Sequence, residues 1–180
     1  MIKTKEPLSV EQQERLIEVA ENMGTYFGVD VKKTVLMFMD TGIHISVMAR
    51  PEKHNVRFAT NPKGKKEMRW FRPKKKGADA DTRVILSPRI ADWSEEFMQG
   101  KRPTYLEFYW HMIKELGRKA DMPEISPMTF RHTFAVNMLQ GGAPDSVVKQ
   151  VLNCSEKTLR RYARYSESMI DSAVEEAMGW

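Results

Sequence analysis

The amino-acid sequence predicts a mainly α-helical domain of the α+β class, with one small antiparallel sheet set into its first half. Three observations carry that prediction. Apolar residues recur at three- and four-residue spacing through most of the chain, the period of an amphipathic helix. Helix punctuation accompanies these stretches: Ser9 and Ser155 stand at N-cap positions, and Gly141-Gly142 stands at a C-terminus. Between the helical stretches, Val56–Thr60 and Glu67–Arg72 flank an Asn61-Pro62-Lys63-Gly64 turn, the pattern of a hairpin.

Taken in order, Ser9 caps a helix starting at Val10, with Gln12 in capping-box position and Leu16, Ile17, Val19, Ala20 and Met23 as its apolar stripe. Gly24 and Gly28 mark a break. Lys32–Asp40 carries Val35, Leu36, Phe38 and Met39 and reads as a buried second helix, and Thr41–Met48 leads into a third. Val56–Thr60, Glu67–Arg72 and Thr82–Ser87 read as the strands. Ile90–Phe97 and Tyr105–Ala120 are helices, the latter striped by Leu106, Tyr109, Ile113 and Leu116. Thr129–Gln140 follows. Asp145–Leu152 and Ser155–Tyr165 make a helix pair, and Ser168–Met178 is a last, short helix.

Composition sets the outer bounds. At 180 residues the chain fits one domain, residues 1–180, with 41% hydrophobic and 29% charged residues. There is no apolar run of membrane-spanning length and no signal-peptide pattern, so no membrane partner is expected. The one cysteine, Cys154, leaves no disulfide framework and suits a reducing, cytoplasmic setting. Neither CxxC nor HExxH occurs, so no metal is expected. The net charge of +5 favours an anionic partner, and its distribution matters more than its total.

Two residues carry the chemistry. Arg131 sits early in the helix read from Thr129, within Phe130-Arg131-His132-Thr133-Phe134-Ala135, and can grip a phosphate with two N–H donors. Tyr162 follows in Thr158-Leu159-Arg160-Arg161-Tyr162 and offers a phenol. An arginine and a phenol are the minimum equipment for attacking a phosphodiester. The plainer reading makes Arg131 an ion-pair residue and Tyr162 ordinary core. Charge clusters in two further places. Lys63, Lys65, Lys66, Arg69, Arg72, Lys74, Lys75 and Lys76 surround the hairpin, interrupted among charges by Glu67, with Trp70 and Phe71 interleaved. Arg160, Arg161 and Arg164 flank Tyr162. Both clusters suit a phosphate backbone, although a charge run is often a solvated face.

Those residues and their order resemble the catalytic domain of tyrosine recombinases, the phage integrase family. The Met128-Thr129-Phe130-Arg131-His132-Thr133 box resembles the family's His-x-x-Arg-His-Thr box. The Leu152-Asn153-Cys154 turn resembles its Leu-Gly-His turn, and Tyr162 stands where its nucleophile does. Thr41-Gly42-Ile43-His44-Ile45-Ser46 resembles the family's Thr-Gly-Leu-Arg-Ile-Ser segment, and the basic hairpin resembles the one that presents a catalytic lysine. The resemblance implies the tyrosine recombinase catalytic-domain fold, without the family's N-terminal core-binding domain. It implies site-specific recombination or integration of double-stranded DNA through a 3′-phosphotyrosyl intermediate, with no metal and no nucleotide cofactor. Under it Arg131 binds the scissile phosphate and Tyr162 attacks, with Tyr165 as the rival nucleophile. Lys74 protonates the leaving 5′-oxygen, with Lys75 and Lys76 as rivals.

The chain departs from the family at three positions. His44 replaces the first arginine; it either donates to a phosphate oxygen without bidentate grip or is satisfied at a helix start. Met128 and Cys154 replace two histidines and read as packing positions. His132 resembles the family's structural histidine. Asp145–Tyr165 also scans as a helix-turn-helix, which makes a DNA-binding protein without chemistry the alternative function. Finally, Met169, Ile170, Ala173, Val174 and Ala177 share one face of the last helix, opposite Asp171, Glu175 and Glu176. That face either docks on the chain's own core or, as the resemblance implies, is passed to a neighbouring subunit during self-association on DNA, with residues 168–180 as the exchanged segment.

Overall fold

A computed structural model of the chain describes residues 6–72 and 80–179. Helix α1 spans Val10–Met23, and the expected capping box forms: Ser9 Oγ accepts from the Gln12 N–H, and the Gln12 side chain accepts from the Ser9 N–H. Gly24 ends α1 at φ +66. The segment read as a simple break is a hairpin. Thr25–Tyr26 (β1) pairs antiparallel with Val29–Asp30 (β2) around Phe27 and Gly28, both at positive φ. Strands of two residues carry no periodicity, so nothing in the apolar pattern revealed them.

Helix α2, Val31–Thr41, starts from Asp30, whose carboxylate accepts from the Lys33 N–H. It is buried nearly all round, so it forms the centre of the helical layer, between α1 and a later helix, α7 (Pro127–Gln140). Its two buried hydroxyls, Thr34 and Thr41, donate to carbonyls one turn back, which makes them tolerable in an apolar setting. Gly42 closes α2 in the left-handed conformation. The next short helix, α3, is Ile45–Ala49, followed by a 3₁₀ turn at Glu52–His54.

The sheet has the expected order and place. Strands β3 (Arg57–Thr60), β4 (Lys66–Arg72) and β5 (Ala80–Ile85) are antiparallel in the order β3-β4-β5. Asn61 shapes the β3–β4 turn, its side-chain oxygen accepting from the Lys63 and Lys65 N–H groups. Met68, Trp70 and Val84 face inward and are buried. On the other face Arg57, Arg69 and Arg83 stand in one row across the three strands. Like charges in register repel. Carboxylates answer them: Glu67 receives Arg69 at 2.9 Å and Arg83 at 3.5 Å, and Asp81 receives Arg57 at 3.1 Å.

Strand β5 ends earlier than the pattern suggested, because Ser87 serves as N-cap of helix α4, Pro88–Ala91. The single helix expected over Ile90–Phe97 is two: α4 and α5 (Ser94–Gln99), broken at Asp92-Trp93. Arg89 grips Asp40 through both carboxylate oxygens and so ties α4 to α2. Helix α6, Leu106–Lys119, buries Phe108, Tyr109, Met112, Ile113 and Leu116.

Helix α7 is buried from Pro127 through Val136 except at Met128. Its Phe130 stacks on Phe38 of α2 at 6.2 Å. Helix α8 is Asp145–Leu152 and ends on Asn153 in the left-handed conformation. Then comes the largest departure. Ser155–Tyr165 and Ser168–Met178, read as separate helices, are one 23-residue helix, α9, over Glu156–Met178. No Gly or Pro interrupts that span, and Ser168 is not a cap: its carbonyl accepts from the Ser172 hydroxyl inside the helix. The first half of α9 packs on α7 and α8. Met169 packs against the core, but every residue from Ile170 to Gly179 is exposed, so the rest of the apolar stripe is not docked on the chain's own core.

Candidate active site

Arg131 and Tyr162 come together where α7, α8 and α9 meet. Helix α7 starts at Ser126, whose N–H donates to the Thr129 hydroxyl, with Pro127 in the first turn. That start places Arg131 one turn in, facing the core. Arg131 is 7% exposed. Nη1 donates to the Gly42 carbonyl at 2.5 Å, and Nη2 donates to the Leu152 carbonyl. Gly42 caps α2 and Leu152 ends α8, so two helix C-termini, each with partial negative charge, converge on this cation. A buried charge needs such partners.

Tyr162 lies on the inner face of α9 with Leu159 and Ser166, at 2% exposure. Its hydroxyl meets His132 Nδ1 at 2.8 Å, with ring centroids 5.3 Å apart. The Arg161 guanidinium lies over the ring at 5.8 Å. Burial pushes the Tyr162 phenol above its ordinary pKa, opposed by the positive charges of Arg131 and Arg161. Burial likewise raises the Cys154 thiol, opposed by Arg131. The same guanidinium thus acts on both Tyr162 and Cys154, and the phenol is protonated at neutral pH.

His44 is the N-cap of α3. Its Nδ1 accepts from the Ser46 N–H at 3.3 Å and lies 3.0 Å from the Ser46 hydroxyl. A ring nitrogen that accepts carries no proton, so the neutral ring holds its proton on Nε2. His44 is half-buried and two residues beyond the carbonyl that Arg131 grips. Met128, one turn before Arg131, is 39% exposed. Tyr165 is half-buried against the core, on the same helix as Tyr162.

The basic candidates divide. Arg160, Arg161 and Arg164, joined by Lys157, line a groove of about 570 Å³ along α9. Lys63 and Lys65 are exposed on the β3–β4 turn, and Lys66 reaches Asp92 at 3.9 Å. Arg69 pairs with Glu67 on the sheet's outer face. Lys74, Lys75 and Lys76 lie outside the described residues, as does the side chain of Arg72. Among the described residues no cluster of His, Cys, Asp or Glu could hold a metal, and no helix is long and apolar enough to cross a membrane.

Sequence reasoning assigned His132 a structural part and missed its contact with Tyr162. The only signal was its position next to Arg131.

Residues 7–169 match the model of the Phage integrase family. The chain belongs to the phage integrase family. Among its relatives, tyrosine recombinase XerA of Pyrococcus furiosus is 25% identical over 185 residues, covering 94% of this chain and 61% of that protein. The fold matches those of solved recombinase and integrase structures. XerH site-specific recombinase, bound to palindromic difH substrate in a post-cleavage complex, superposes with a TM-score of 0.70 at 13% identity, over 96% of this chain and 53% of that one. The Tn1549 transposon integrase, in complex with a circular intermediate DNA, gives 0.61 at 12% identity, over 91% of this chain and 62% of that one. The chain therefore spans roughly half to three-fifths of the length of these three relatives.

Proposed function

We propose that this chain breaks and rejoins double-stranded DNA in site-specific recombination or integration, through a 3′-phosphotyrosyl intermediate. The observation that carries the reading is the meeting of Arg131 and the Tyr162 phenol at the junction of α7, α8 and α9. A dianionic, five-coordinate phosphoryl group needs fixed cationic donors, and bonds aimed by a rigid helix supply them without reorganisation. Arg131 is so aimed. The Tyr162 oxygen then attacks phosphorus and expels the 5′-oxygen, keeping the energy of the broken bond in the new ester. Lys74 is the proposed donor to that oxygen, and His44, with its proton on Nε2, a second donor to the phosphate.

The DNA backbone lies along the α9 groove of Arg160, Arg161 and Arg164 and along the hairpin cations Lys63, Lys65, Lys66, Arg69, Arg72, Lys75 and Lys76. Recombinase relatives solved with their substrates or with DNA support this placement of function. The reaction as drawn takes place in the cell interior, where DNA is, and requires no metal and no nucleotide. Self-association on DNA fits the exposed distal half of α9, whose stripe of Ile170, Val174 and Met178 is 49%, 48% and 59% exposed. Insertion of this segment, residues 168–180, into a neighbouring subunit would cover it.

One observation favours a second reading, DNA binding without chemistry. In the free chain both functional groups are already satisfied, Arg131 by two carbonyls and Tyr162 by His132. The deciding experiment is incubation with a nicked suicide duplex, followed by a denaturing gel. A covalent protein–DNA adduct is expected; its absence with duplex DNA that the protein binds selects the second reading.

A further inference from the structure

The geometry points to His132 as the catalytic base that takes the phenol proton from Tyr162 as its oxygen attacks phosphorus. The inference rests on the nucleophile assignment proposed above. A general base must stand within about 2.6–3.2 Å of the atom whose proton it removes. His132 Nδ1 stands 2.8 Å from Tyr162 Oη. Both side chains are buried, at 8% and 2% exposure, so bulk water is not the ready acceptor in this setting.

Other groups facing the phenol serve less well. Arg131 on α7 and Arg161 on α9 remain protonated and cannot accept. Cys154, on the turn between α8 and α9, is a protonated thiol, because burial holds its pKa up. A protonated, buried phenol is a weak nucleophile until something removes its proton. His132 also follows Arg131 directly on α7. One turn of one helix thus presents the phosphate donor and the proton acceptor, and the packing of α9 on α7 holds the nucleophile against both.

In the step itself, a lone pair on Tyr162 Oη forms the O–P bond while the phenol proton moves to His132 Nδ1. The P–O5′ bond breaks, its electron pair stays on the 5′-oxygen, and that oxygen takes a proton from a hairpin lysine or from water. The imidazole must carry its own proton on Nε2 and leave Nδ1 bare. Rejoining is the reverse. The 5′-hydroxyl attacks the phosphotyrosyl group, and the imidazolium returns its proton to the departing phenol oxygen.

The test is single-turnover formation of the adduct on the nicked suicide duplex, measured across roughly pH 5–8, the window in which imidazoles titrate. The wild-type rate should rise with pH through that window. H132Q and H132N should lose about 10²-fold or more in rate and lose the rise, while binding duplex DNA normally. Variants that keep the wild-type rate, or keep the rise while slower, would show His132 to be packing or positioning only. A faster variant would make it a latch on the resting phenol. Either result overturns the inference and leaves the nucleophile assignment standing, whereas no adduct from wild type removes that assignment first. A second readout needs neither cleavage nor a variant: nitrogen-15 NMR of the free wild-type chain should show His132 Nδ1 unprotonated in the neutral ring. A proton found there overturns the inference outright.

Discussion

The ring of Phe134 occupies the space a side chain on Gly42 would need, because a Cβ built at Gly42 would lie 2.3 Å from Phe134 Cδ1. Gly42 also sits at φ +64, and its carbonyl receives Arg131. One residue thus caps α2, admits the α7 aromatic and holds the site's cation. Left-handed strain and overpacking together should make G42A destabilising by about 2–5 kcal/mol, read as a lower denaturant midpoint. An unchanged midpoint would mean that α2 and α7 separate readily.

Tyr162 and Tyr165 are separated by chemistry, not by fold. Y162F removes only a hydroxyl and should abolish the covalent adduct on a suicide duplex while DNA affinity stays within about threefold of wild type, since no phosphate contact of the kind that sets affinity is lost. Y165F should still form the adduct. The opposite pattern would move the nucleophile one turn along α9.

His44 has two jobs to separate. As the N-cap of α3 it should cost about 0.5–2 kcal/mol of stability when replaced by Ala. If its Nε2–H also supports the scissile phosphate, H44A should slow adduct formation and H44R, restoring a bidentate donor, should speed it. A stability loss with no rate change in either variant would leave it a cap alone.

Binding to duplex DNA should weaken steeply with salt. Each lost phosphate contact should flatten the log–log salt slope by about 0.9. Replacing Arg160, Arg161 and Arg164 with Ala, at exposed positions where folding is little affected, should therefore lower the slope by roughly 2–3 if all three touch phosphates. An unaltered slope would take the α9 groove out of the interface.

Alkaline pH offers a test of burial at the site. The Tyr162 phenol has its pKa raised by burial, as does Tyr109, so the folded chain binds these protons more tightly than the unfolded one. The stability they contribute is complete below the ordinary phenol value of about 10 and is lost as pH rises above it toward the raised values. Melting temperature should fall above that pH, and less so in Y162F.

Much of this architecture was legible because its signals are local. The α1 capping box, the Asn61 turn and the three strands are each specified by residues within a few positions of one another. The break at Asp92-Trp93 and the missing break near Ser166 were not, since no Gly or Pro marks the first and Ser166 is a buried mid-helix residue of α9 and not a break. At the site, the spacing of Arg131 and Tyr162 pointed to chemistry, but their surroundings did not. Gly42 is 89 residues from the arginine it holds, and His132 is 30 from the phenol it touches, so both contacts exist only once α2, α7 and α9 are stacked.

The continuity of α9 has a mechanical consequence. Tyr162 and Val174 sit on one rigid rod, about 18 Å apart along its axis at 1.5 Å per residue. Its near end is wedged against α7, and its far end protrudes. Such a rod is a lever with its fulcrum in the active centre. A load on the free end that tilts it by a few degrees would displace the phenol oxygen by an appreciable part of an ångström relative to Arg131, a shift large enough to matter where catalytic alignment is held to about half an ångström. Anything that gripped Ile170, Val174 and Met178 would thereby act on the position of Tyr162 without any part of it entering the site.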